Sequence, residues 1–138
     1  MGKRREGREA AVQFLFQRDL NAGEARDSLL HFWTLREAPP KTREFANALI
    51  HGVIAQQPLI DERIQKFAAN YELHRIANVD RNILRVAIFE MLFAEETPPV
   101  VAINEAIELA KKFGSDESGR FVNGILDRVK SELTRPLR

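Results

Sequence analysis

The stretch "DRNILRVAIFEMLFA", residues 80–94, constrains the fold more than any other part of the chain. At 3.6 residues per turn it spreads Ile83, Leu84, Ala87, Ile88, Met91 and Leu92 over a wide apolar stripe. Such a helix has to be the central, most buried element, with other helices packed around it. The remaining segments supply them. Residues 5–21 carry Val12, Leu15, Phe16 and Leu20 at helical spacings, and Gly23 is expected to stop that helix. Residues 26–37 form a shorter amphipathic helix closed by "APP". Residues 42–56 repeat Phe45, Leu49 and Val53 down one face, with Thr42 as the expected N-cap. Pro58 suits the first turn of a further helix, and a loop near "NYELHRIAN" leads into the central one. After "TPP", helices are expected over 102–113 and 117–132, with Gly114 as a left-handed C-terminal cap and Ser115 or Ser118 capping the last helix.

No segment alternates with period two for long enough to make a convincing strand, "PPVVAI" being the one weak candidate. The expected fold class is all-α, about seven helices in two packed small helical bundles that form one domain over residues 1–138. A chain of 138 residues removes roughly 70% of its unfolded surface from water, so it needs neither disulfides nor metal, and it contains no cysteine. No apolar run approaches the roughly 20 residues of a membrane helix. "MGKRREGREA" is charged but is not followed by the apolar core of a signal peptide. A cytoplasmic protein is expected.

Net charge is only +1, from 21 basic and 20 acidic residues, so any nucleic-acid footprint must come from local clustering. Lys3, Arg4, Arg5 and Arg8 cluster against the single acid Glu6, and Arg128, Lys130, Arg135 and Arg138 gather at the other end. Each cluster reads either as a solvated tail or as a phosphate-binding patch.

Catalytic patterns are missing. His31, His51 and His74 have no metal-ligand spacing and read as surface or core-edge residues. Gly114 and Gly119 have the spacing of a phosphate loop, but Arg120 and Phe121 stand where it needs Lys and Ser or Thr, and no strand precedes it. Glu105 and Glu108 are explained by a solvated helix face near Lys111 and Lys112. Nothing in the pattern calls for an enzyme, a metal or a cofactor. Binding remains. In "GSDESGRF", Arg120 can pair a phosphate and Phe121 can stack an unpaired base; alternatively, Phe121 opens the core stripe of the last helix with Val122 and Ile125.

Four stretches carry a resemblance over nearly the whole chain: "REGREAAVQFLFQRDLN", "FANALIHGV", "VDRNILRVAIFEML" and, above all, "VAINEAIELAKKFG" with "RFVNGILD". The chain resembles the NusB family of bacterial transcription antitermination factors. That resemblance implies an all-helical RNA-binding domain that pairs with a small-subunit ribosomal protein acting as NusE. It further implies binding to boxA-type single-stranded RNA and action within the RNA polymerase antitermination complex, especially on ribosomal RNA operons.

Residue by residue, the resemblance implies that Lys3, Arg4, Arg5 and Arg8 contact the RNA backbone. It places Phe16, Arg120 and Phe121 on the RNA surface, with Asp116 and Glu117 where RNA and partner meet and Asp80 facing the partner. The family includes monomers and dimers, so a homodimer over the RNA surface is also allowed. Two departures stand out: Glu6 and Gly7 interrupt the basic run, and Phe16 lacks the aromatic hydroxyl common at its position. Two other readings remain. One is a helical adaptor that binds protein and never RNA. The other is the RNA-binding domain of an RNA cytosine methyltransferase, disfavoured by the lack of a second domain, a cofactor loop and a nucleophilic cysteine in this sequence.

Overall fold

In the computed structural model of the protein, residues 2–21, 25–68 and 70–138 are described, 25–28 as backbone only. Gly23, expected to stop the first helix, lies outside the described residues. Helix α4 (Asn78–Phe93) is the element around which the others gather. Its Ile83, Leu84, Val86, Ala87, Ile88 and Met91 are all 2% exposed or less, so apolar surface points in most directions from its axis and needs neighbours there. Helices α1 (Gly2–Leu20) and α3 (Pro40–Phe67) pack against it and against each other, and so do α5 (Pro99–Phe113) and α6 (Ser118–Ser131). Helix α2 (Ala25–Leu35) lies on α1 and is pinned to α3 by the Trp33 indole, which donates to Asn47 Oδ1 at 2.8 Å. The two helical groups thus share α4, and their buried side chains form one hydrophobic cluster.

The fold is all-α, as expected, with six α-helices among the described residues and a 3-10 turn at Leu73–Arg75. The difference from seven lies at Pro58. Helix α3 runs unbroken for 28 residues with that proline inside it. An interior proline forfeits a backbone hydrogen bond and crowds the carbonyl four residues back, costing about 3 kcal/mol. The apolar stripe nonetheless stays in phase across it: Ala46, Leu49, Ile50 and Val53 before, Ile60 and Ile64 after, none more than 3% exposed. Burying a large aliphatic side chain contributes about 1.5–3 kcal/mol, so a stripe continuing past Pro58 outweighs the local loss.

Two caps also differ from expectation. Helix α3 starts two residues before Thr42, with Pro40 in its first turn, and leaves Thr42 buried inside the helix. Gly114 is extended (φ −97°, ψ −168°) rather than left-handed, and a Cβ there would collide with the Ser118 side chain. Glycine is required there for space, not for handedness. Ser118 does not cap α6; its Oγ accepts the Ser115 N–H at 2.9 Å and so closes the turn itself.

Two polar devices fix the helices relative to one another. Asp19 of α1 accepts from Arg81, Asn82 and Arg85 of α4, and Arg85 also forks onto Asp61 of α3 at 2.8 and 3.0 Å. Burial pushes the Asp19 carboxyl up, but the Asn82 hydrogen bond and the Arg85 and Arg81 charges outweigh it and hold it below its ordinary value. The second device closes the end of α4. Arg135 donates to the carbonyls of Glu90, Met91, Ala94, Glu95 and Thr97, while the Leu137 carbonyl accepts from the Val100 N–H. The carbonyls of Glu90 and Ala94 also accept backbone N–H groups, and those that the helix end leaves open are met by the same guanidinium.

Candidate nucleic-acid interface

The four basic residues at the start of α1 have different fates. Lys3 and Arg4 are exposed. Arg5 forks onto Glu105 of α5, with Nε–Oε1 at 3.0 Å and Nη2–Oε2 at 2.7 Å. Arg8, only 4% exposed, forks onto the buried Glu90 of α4 through two 2.8 Å bonds, and its Nη1 lies 3.8 Å from Glu105. The hydrogen bond from Arg5 holds the Glu105 carboxyl below its ordinary value against partial burial, helped by the charges of Arg5 and Arg8. Half of the basic motif is therefore spent on joining α1 to α4 and α5. Gly7 interrupts the run because the Phe45 ring occupies the space beside it: a Cβ would lie 2.6 Å from Phe45 Cδ2. The guanidinium carbons of Arg4 and Arg8 sit 5.1 and 5.3 Å from the centre of that ring, within cation–π range.

At the α5–α6 turn, Asp116, Glu117 and Arg120 are exposed. Phe121 is half-buried against the core, and its ring meets Tyr71 edge-to-face at 5.8 Å and 86°. Tyr71 is 54% exposed. Phe121 thus packs on the core, as one of the two readings has it, while its partly exposed ring also joins a surface aromatic pair. Tyr71 escaped the sequence reading, although a lone aromatic in the polar loop "NYELHR" was a usable signal.

Ion pairs relate the turn to the basic motif. Arg5 to Glu105 and Glu9 to Lys112 tie α1 to α5 in the same chain sense, the latter at 2.9 Å. The turn after Phe113 accordingly lies toward the Phe16 end of α1, away from Lys3 and Arg4. Half-buried Phe16 is fixed there by its own carbonyl, which accepts from Asn78 Nδ2 at 3.4 Å. Asp80, in the first turn of α4, is 7% exposed, and its Oδ1 has no hydrogen-bond partner among the described residues. From Lys3 to Phe16 a helix rises about 20 Å, enough to guide a short single strand between cations at one end and aromatics at the other.

The fold and this surface define a class: an all-helical protein that presents exposed cations and partly exposed aromatic rings. The chain belongs to the NusB family, whose family model matches residues 5–131. It is 48% identical over 131 residues to a Bacillus subtilis protein named transcription antitermination protein NusB, covering 95% of this chain and 97% of that one. A Myxococcus xanthus protein of the same name is 41% identical over 140 residues, covering 99% and 100%. Both names describe antitermination proteins, not enzymes. Among solved structures, T. maritima NusB superposes with a TM-score of 0.85 at 36% identity, covering 96% of this chain and 93% of that one. A structure of antitermination factors NusB and NusE in complex with dsRNA shares the fold, with a TM-score of 0.84 at 24% identity over 96% and 99% of the two chains. Among the described residues, no helix is long and apolar enough to cross a membrane.

Proposed function

We propose that the protein is a cytoplasmic transcription antitermination factor of one domain that holds boxA-type single-stranded RNA together with a small-subunit ribosomal protein acting as NusE. In this role it joins the RNA polymerase antitermination complex on ribosomal RNA operons. The observation that carries the reading is the Phe121–Tyr71 aromatic pair by the α5–α6 turn, with exposed Arg120 next to Phe121 in sequence, toward the Phe16 end of α1. Arg120 supplies a phosphate contact and the rings supply sequence-tolerant stacking. Lys3 and Arg4 extend the contact along the RNA backbone. Asp116, Glu117 and Asp80 are left for the protein partner. A homodimer formed over the same surface would compete with RNA.

Fluorescence anisotropy of a labelled boxA-like RNA and of a scrambled RNA, with and without the ribosomal partner and at two salt concentrations, tests this. Selective tightening on boxA by the partner is expected. Equal binding of both RNAs, or none with the partner present, would overturn the reading and favour the protein-only adaptor. The engagement of Arg5 and Arg8 in internal ion pairs is the observation on that side.

A further inference from the structure

At the basic end of α1, away from the Phe121–Tyr71 pair, a groove of about 540 Å³ opens between α1, α3 and the end of α4. That is within the usual size of small-molecule sites. Its apolar surface includes Phe45 and Phe89, and its lip carries Lys3, Arg4 and Lys41. A smaller cavity of about 140 Å³ shares Arg4, Glu96 and Thr97 with it.

Thr97 distinguishes this groove from an ordinary surface cleft. The residue is 1% exposed, and its Oγ1 is buried without any hydrogen-bond partner among the described residues. Its backbone is fully engaged, the N–H with the Ala94 carbonyl at 3.1 Å and the carbonyl with Arg135 at 2.9 Å. Only the hydroxyl is idle, and it is held rigidly at a place that lines both cavities. A buried hydroxyl without a partner is costly and needs an explanation, and here, on the wall of two cavities, a polar ligand atom supplies one.

The rim decides what that ligand is. Three cations suit a phosphate. Glu44 and Glu96 at the same lip can accept hydrogen bonds from the amino groups of a base, and they would repel an acidic peptide. Phe45 already carries a planar cation, the Arg4 guanidinium, which an incoming base could replace on the ring face while that guanidinium turned to the phosphate. We propose that this groove takes one nucleotide unit, its base against Phe45 and hydrogen-bonded to Thr97 Oγ1, its phosphate held by Lys3, Arg4 and Lys41. The inference rests on the RNA-binding reading and adds to it a base pocket at the far end of α1.

Thr97→Val tests it, because the change removes the idle hydroxyl at nearly constant shape and leaves the fold as stable or more so. With the ribosomal partner present, affinity for the boxA-like RNA should fall about 5-fold, the loss of one net hydrogen bond, while the melting temperature stays level or rises. Lys41→Gln should lower the slope of log K against log salt by about 0.7. Amide shifts on titration with a mononucleotide identify the source. Saturable shifts at Phe45, Phe89 and Thr97 that vanish in Thr97→Val assign the site to free nucleotide, and shifts with RNA alone assign it to a base of the bound strand. If Thr97→Val binds RNA like the parent protein and the mononucleotide shifts nothing, the pocket is empty and the inference falls, while the RNA-binding reading stands. Loss of partner binding with RNA binding intact would hand the groove to protein and equally overturn it. A parent protein that binds no RNA even with the partner fails the earlier reading instead.

Discussion

Arg8 and Arg120 are the same side chain put to opposite uses. Arg8 is buried, forked onto a buried carboxylate and lying against Phe45; Arg120 is exposed beside a half-buried ring. What separates them is the neighbour, not the residue type. Glu90 and Glu105 lie where α4 and α5 pass the first turns of α1, and they turn two arginines of the basic motif into joints between helices. A run of arginines therefore divides into joints and contacts, and a count of basic residues overstates the binding surface.

The largest expected effect tests the joint. Arg8→Met leaves Glu90 buried without its partner and should cost about 3–5 kcal/mol in urea unfolding, whereas Arg8→Met with Glu90→Met should regain most of that. An Arg8→Met protein of parental stability that had lost RNA affinity would make Arg8 a contact instead and erase the contrast. Next, Phe121→Ala should weaken RNA binding by about 1–3 kcal/mol. Tyr71→Ala should act in the same direction; stability losses with unchanged affinity would return both rings to the core. Smaller again, Lys3→Gln with Arg4→Gln should leave the unfolding midpoint alone and reduce the salt slope by about 1.4, two phosphates at about 0.7 each.

Acid supplies the mildest test. The Glu105 and Asp19 carboxyls both sit below their ordinary values of 4.5 and 3.8 in the folded protein. The stability they contribute is complete above those values and is lost as pH falls through the lower folded ones. The melting temperature should be flat near neutrality and drop below about pH 4.5, with Glu105→Gln blunting the first part of the drop.

Much of the fold was legible because it depends on period. Ile83, Leu84, Ala87, Ile88 and Met91 announced a central helix, and the structure buries each of them. Pro58 misled because a local rule about proline was set against a stripe whose phase, from Ala46 to Ile64, was visible on the page. Thr42 and Ser118 looked like caps by type, yet their roles depended on Pro40 and on the Ser115 N–H. The candidate interface was legible only in part. Arg120 and Phe121 stood out in a polar turn, but nothing local to Arg5 or Arg8 reveals carboxylates 82 to 100 residues away. Separation along the chain also hid Tyr71, which meets Phe121 of α6 from a loop, and the polar cluster at Asp19, whose partners lie more than sixty residues downstream.

Arg135 carries a consequence for the order in which the molecule is made. The carbonyls it satisfies belong to residues 38 to 45 positions earlier. During synthesis all the residues of α4 are in place well before the guanidinium that closes its end has been added, so until then the carbonyls of Met91, Glu95 and Thr97 lack that partner. The elbow between α4 and α5, turned locally by the Thr97 N–H on the Ala94 carbonyl, receives its guanidinium tie only once the tail has been translated and has folded back.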